Sequence, residues 1–164
     1  MGRFSIHNKG MGAIRRARTH RRRPQPRRSR QRLPYKPRHT LLSRGEAAFY
    51  FALRAAVRGQ YLIAFKVRLA DLITCSEAAW KAGFGHMIAR HHLDFVLCDP
   101  RTTNVCLTIE LDDRSHDSPS RKRRDTFVND ALAAAKIPLV RVRAASMYDT
   151  RQIGEAIAFA VGRG

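Results

Sequence analysis

Residues His92–His116 read HLDFVLCDPRTTNVCLTIELDDRSH, two alternating arms around a polar turn, and the placement of the acids in those arms decides the fold. In the second arm Val105, Leu107, Ile109 and Leu111 are expected on one face, with Cys106, Thr108, Glu110 and Asp112 on the other, because side chains alternate along a strand. The first arm puts Leu93, Phe95 and Leu97 on one face and His92, Asp94, Val96 and Cys98 on the other. Between them Asp99-Pro100-Arg101-Thr102-Thr103-Asn104 reads as a turn, since proline donates nothing to a ladder and Asp and Asn bond their own backbone.

An antiparallel hairpin centred on that turn pairs residues whose numbers sum to about 204, which sets Asp94 against Glu110 and His92 against Asp112. Like charges so opposed destabilise a sheet. A slip of one residue would turn the apolar set to the wrong side, so the acids stay on one face in any permitted register. Two carboxylates held together in this way point to a divalent cation, since Mg²⁺ is commonly bound by one or two carboxylates, waters and substrate phosphate oxygens. The plainer alternative is a solvated face, but Val96, Cys98, Cys106 and Thr108 are poor residues for a wet surface.

The chain has 164 residues and a formal net charge of +19. The length suits one domain of ordinary size, and the charge calls for a polyanionic partner, of which nucleic acid is the usual one. No basic amphipathic helix is evident to lie on a membrane, no apolar run is long enough to span one, and the N-terminus has no secretory signal, so a cytoplasmic location is expected. Cys75, Cys98 and Cys106 form no CxxC pair, and free thiols are expected although Cys98 and Cys106 face each other in the hairpin register.

Residues 1–40 hold fourteen Lys or Arg and no acid. They are expected to be a disordered basic arm in which Arg15, Arg16, Arg21, Arg22 and Arg23 grip phosphates without reading sequence. Either the arm raises general affinity or the native start lies downstream, at Met11. The folded domain is expected over residues 41–164. Ser43-x-x-Glu46 is a capping box opening a helix with Leu42, Phe49, Tyr50, Leu53 and Val57 on its apolar stripe. Glu46 lies on that stripe, either as the box's partner or as a site residue. Residues 60–71 read as a strand with Tyr61, Ile63, Phe65, Val67 and Leu69 on one face and Lys66 on the other, where a lysine snorkelling from a sheet edge is the simple explanation.

Residues 71–90 read as an insertion with a short helix over 76–82. A zinc site there is disfavoured because adjacent His91 and His92 point to opposite sides of a strand. Ser118 and Pro119 open a helix to about Lys136, with Phe127, Val128, Ala131, Leu132 and Ala135 inward. Its first turns carry Arg121, Lys122, Arg123 and Arg124, cations that oppose the helix dipole and so invite an anion. A strand over 138–142 completes an α-β-β-β-α-β core, and a helix capped by Asp149-x-x-Gln152 follows it, a mixed α/β layer fold.

This order, with an acid in one strand and an acid closing the next, resembles the PD-(D/E)xK nuclease superfamily, the restriction-endonuclease-like fold. The strings LLSRGEAAFYFAL, KVRLADLI, HLDFVLCDP, IELDDRSH and IPLVRV resemble the bacterial family catalogued as domain of unknown function 2726. That family is similar to the short-patch mismatch endonuclease group. The resemblance implies that Asp94 and Glu110 bind Mg²⁺ or Mn²⁺ and that Glu46 assists. The superfamily's lysine, two residues after the second acid, is here Asp112. Three outcomes follow: Asp112 is a third ligand, Lys66 takes over transition-state stabilisation, or catalysis is lost. His116 is a candidate acid or base, its ordinary pKa lying near neutrality.

The expected activity is metal-dependent endonucleolytic hydrolysis of nucleic acid, with DNA as the substrate. Arg121, Lys122, Arg123 and Arg124 would position the backbone. The competing expectations are a catalytically inactive nucleic-acid-binding module that keeps the fold, and a small basic protein that packages nucleic acid through its arm.

Overall fold

The structure is a computed structural model and describes residues 32–112 and 118–162. A compact unit begins at Arg38; residues 32–37 belong to a separate unit and carry no regular structure. Arg15, Arg16, Arg21, Arg22, Arg23 and His116 lie outside the described residues.

The elements follow the order α1 (Arg44–Val57), β1 (Leu62–Arg68), α2 (Leu69–Leu72), α3 (Glu77–Lys81), α4 (Phe84–Ala89), β2 (His92–Cys98), β3 (Val105–Asp112), α5 (Pro119–Ala134), β4 (Leu139–Arg143) and α6 (Thr150–Val161). The four strands form one mixed sheet in sequential order. β1, β2 and β3 are antiparallel neighbours, and β4 pairs parallel to β3 after the crossover through α5.

Local chemistry sets the helix starts. Ser43 Oγ accepts from the Glu46 N–H while Glu46 Oε2 accepts from the Ser43 N–H at 2.8 Å, the complete capping box. Ser76, Ser118 and Asp149 cap α3, α5 and α6 through their side-chain oxygens, and Pro119 enters α5 in its first turn, where a missing N–H does no harm. The hairpin turn is fixed by Asp99, whose Oδ1 accepts from the backbone N–H of Arg101 at 2.9 Å and of Thr102 at 2.8 Å.

Helices cover both faces of the sheet. On one, Phe49, Leu53, Phe95, Leu97, Leu107, Ile109, Ile153 and Ile157 join α1 and α6 to β2 and β3. On the other, Leu69, Ile88, Leu93, Val96, Val128 and Leu132 join the short helices and α5 to β2. Each such side chain contributes roughly 1.5–3 kcal/mol on burial.

The hairpin register is the one the turn dictates: Phe95 pairs with Ile109, Val96 with Thr108 and Leu97 with Leu107. Two side chains depart from simple alternation. A register shift next to Leu97 brings Val105 opposite Cys98, and both pack in the second cluster rather than with Leu107. Leu93 also packs in the second cluster, apart from Phe95 and Leu97. The strand expected over residues 60–71 ends at Arg68, and Leu69 opens a helical turn. Ala135, expected inward, is exposed beyond the end of α5. Among the described residues, no helix is long and apolar enough to cross a membrane, and Cys75, Cys98 and Cys106 are free thiols.

Candidate active site

A cleft of about 280 Å³ opens where the first turns of α1 and α5 approach the acidic ends of β2 and β3. Ser43, Gly45 and Glu46 line it from α1, Asp94, Glu110, Leu111 and Asp112 from the sheet, and Arg121, Arg124 and Asp125 from α5. The paired ladder of β2 and β3 runs out at Phe95 and Ile109, and Asp94 and Glu110 follow just beyond it, near enough for the charge of Asp94 to act on Glu110. Asp94 is anchored there, its Oδ2 accepting from the Leu111 N–H at 3.0 Å.

Glu110 is 5% exposed, and its Oε1 has no hydrogen-bond partner. Its other carboxylate oxygen lies 3.8 Å from Arg124 Nη2. Burial pushes the Glu110 carboxyl up to about 7, the charge of Asp94 pushes the same way, and Arg124 and Arg141 offset only part of this. An orphaned buried carboxylate oxygen is expensive unless something outside the protein satisfies it. A cation beside Asp94 and Glu110 would do so, and two carboxylates opening on a cleft fit a site that leaves the remaining positions to water and phosphate.

Asp112 does not complete a triad. Its Oδ1 accepts from Arg141 Nη1 at 2.8 Å, and the same guanidinium reaches Asp125 at 3.7 Å and donates to Asn129 Oδ1 through Nη2 at 3.0 Å. Asp94, Glu110 and Asp112 line the same cleft, but among the described residues no group of three His, Cys, Asp or Glu side chains is placed to hold a metal ion. The reason is the parallel β3–β4 pairing. It sets Glu110 beside Arg141 and Asp112 beside Arg143, bringing cations against the acidic strand.

Lys66 does lie on an edge strand, β1, but its amine is held by two acids instead of running free into solvent. Its Nζ donates to Glu46 Oε1 and lies 3.4 Å from Asp94 Oδ1. The cause is a backbone break: Lys66 has φ of 58°, the left-handed region that non-glycine residues adopt rarely. Phe65 therefore packs in the first cluster and Val67 in the second, instead of sharing a face. Burial would lower the Lys66 pKa, but Glu46 and Asp94 outweigh it and hold the amine charged. Burial likewise opposes the charge on Glu46, and the bonds from Lys66 and Ser43 overcome it and lower that carboxyl. Glu46 thus serves both the helix cap and the site.

The α5 cations divide. Arg121 and Arg124 line the cleft, one turn above the buried Val128 on the same helical face, whereas Lys122 and Arg123 do not line it. Arg124 Nη2 also donates to the His92 carbonyl at 3.3 Å. Arg141, Asp125 and Asn129 were not among the expected site residues; only the strand order, which periodicity does not reveal, brings Arg141 beside Asp112. A further cavity, of about 500 Å³ between α4 and α5, is lined mainly by Ile73, Phe84, Ile88, Phe127 and alanines, with Thr74, Cys75 and Asp130 as its polar members.

Fold and site together define a mixed α/β domain that carries a buried glutamate beside a half-buried aspartate in a cation-lined cleft. The chain belongs to the family described as protein of unknown function (DUF2726), whose model matches residues 38–161. Neither the curated proteins nor the solved structures contain a match to it.

Proposed function

We propose that the protein is a metal-dependent nuclease that hydrolyses phosphodiester bonds in DNA, built on the restriction-endonuclease-like plan that its element order resembles. One observation carries this reading. The buried Glu110 pairs with Arg124 through one carboxylate oxygen only, and its other oxygen, Oε1, is left without a partner in the cleft that Asp94 also lines. A purely structural acid in such a place would have both oxygens satisfied, and a solvated one would not be buried.

In this reading Asp94 and Glu110 hold Mg²⁺ or Mn²⁺, which supplies Lewis acidity toward a phosphoryl oxygen when bound. Arg121 and Arg124 take the phosphate as an anion at the start of α5, where the helix dipole adds to their charge. Lys66, kept as an ammonium by Glu46 and Asp94, is a fixed positive charge rather than a base, suited to the charge that grows on the phosphoryl oxygens. It occupies the role of the motif lysine that Asp112 replaces. A water oxygen bonds to phosphorus as the bond to the leaving sugar oxygen breaks, giving a phosphate monoester and a free hydroxyl. Glu46 orients Lys66 and reaches the chemistry only through it.

The test is cleavage of labelled DNA by the purified full-length protein with Mg²⁺ or Mn²⁺. Wild type is expected to cut, and Asp94→Ala and Glu110→Ala are expected to fall to background. Equal cutting by wild type and Glu110→Ala would remove these residues from the reaction. DNA binding with no cleavage under either metal would make the protein an inactive nucleic-acid-binding member of its fold.

A further inference from the structure

A second cleft, of about 570 Å³, adjoins the first and is lined by residues 38–43 together with Glu46 and Lys66. Ser43 and Glu46 belong to the walls of both clefts, so the two meet along the capping box of α1. The Lys66 amine, bound to Glu46 and beside Asp94, sits at that junction. The far end of the second cleft carries Arg38 and His39, both exposed. The carboxylate pair therefore has Arg121 and Arg124 in one cleft and Arg38, with His39 beside it in sequence, in the other.

We propose that the two clefts are one continuous path for a nucleic-acid strand, in which Arg38 and His39 hold the phosphates on the opposite side of the cut from Arg121 and Arg124. The inference rests on the nuclease reading above and adds to it the substrate's course. A strand crossing Asp94 and Glu110 with its backbone gripped on both sides needs no free end, so the cut is internal. A groove that follows the backbone with cations and few base contacts accepts many sequences.

The experiment uses the full-length protein with Mg²⁺ or Mn²⁺ on closed circular single-stranded DNA and on linear oligonucleotides shortened from either end around a mapped cut. The circle is expected to be opened. Removing nucleotides on one side of the cut is expected to slow wild type about tenfold, in the range of a single coupled contact. The Arg38→Ala/His39→Ala variant is expected to show that loss already on the long oligonucleotide and to lose no more on the short one. A uniformly misfolded variant would lose rate on every substrate and on truncations from both ends alike. If linear DNA is cut only from its ends while the circle survives, the nuclease reading stands and the continuous path falls. The assignment of Arg38 and His39 falls if their variant responds to truncation as wild type does. No cleavage of any substrate overturns the nuclease reading and the path with it.

Discussion

Arg141 Nη1 donates to Asp112 Oδ1 at 2.8 Å, and this bond ties the end of β3 to β4 and draws Asp112 out of the carboxylate pair formed by Asp94 and Glu110. The guanidinium also holds Asn129 of α5, so a single side chain joins three elements around the cleft. Asp112→Asn keeps an oxygen for Arg141 and is expected to retain cleavage within about tenfold of wild type, whereas Asp94→Ala and Glu110→Ala lose it. Arg141→Ala frees two acceptors that water can reach and is expected to lower stability by roughly 0.5–1.5 kcal/mol in urea denaturation. Loss of cleavage in Asp112→Asn equal to that in Asp94→Ala would restore Asp112 as a third ligand.

Glu110 gives the domain a pH-dependent stability of definite sign. Its carboxyl is raised from 4.5 to about 7 by burial and by Asp94. The folded state thus keeps a proton that the unfolded chain releases. A raised pKa contributes stability fully below about 4.5, and that contribution is lost as pH rises through about 7. The full swing is roughly 3 kcal/mol. In cation-free buffer Glu110→Gln is expected to be more stable than wild type at pH 8, with the gap closing toward pH 4.5. Urea titrations of the two proteins at several pH values measure the difference directly; parallel curves would mean that Glu110 is not desolvated. Adding Mg²⁺ at pH 8 is expected to stabilise wild type and leave Glu110→Gln unchanged, because only a state that binds the ion gains from it.

Lys66 carries two separable effects, one of backbone and one of charge. Its φ of 58° costs roughly 1–2 kcal/mol in any residue with a Cβ, and glycine escapes most of that. Lys66→Ala and Lys66→Gly remove the same ion pairs with Glu46 and Asp94, so the stability difference between them reports the backbone alone. Lys66→Gly is expected to be the more stable by about 1 kcal/mol. Both are expected to cut DNA at least a hundredfold more slowly than wild type, if the ammonium acts as a transition-state charge. Equal stability of the two variants would deny the left-handed conformation, and retained cutting would deny the role of the charge.

These residues also mark where sequence reasoning reaches its limit. The hairpin register, the capping box and two further helix N-caps, Ser118 and Asp149, were legible because each is set within a few residues by turn chemistry or side-chain capping. That register also brings Asp94 and Glu110 to the same end of the hairpin, where both line the cleft. Lys66 was misplaced because one left-handed residue reverses the alternation on which face assignment depends, and nothing in FKV announces it. Val105 was misplaced for a similar reason, a register shift next to Leu97. Arg141 was not recognised because its neighbours come from the parallel β3–β4 pairing, a contact across 29 residues that no local period encodes.

The segment between β1 and β2 supplies a test independent of the cleft. A Cβ built on Gly85 in α4 would lie 2.1 Å from Trp80 Cδ2, far inside contact distance, so the indole of α3 rests directly on the glycine backbone. Trp80 is 41% exposed, which leaves it room to move outward rather than inward. Gly85→Ala is therefore expected to expel the ring while the sheet and its two helical layers stay folded. Trp80 is the sole tryptophan of the chain, so its fluorescence reports on this contact alone. A red shift of emission toward that of the unfolded protein is expected, with DNA cleavage unchanged because neither residue lines the cleft. An unshifted spectrum would show that Trp80 does not pack on Gly85 in solution, and a loss of cleavage would tie this segment to the site.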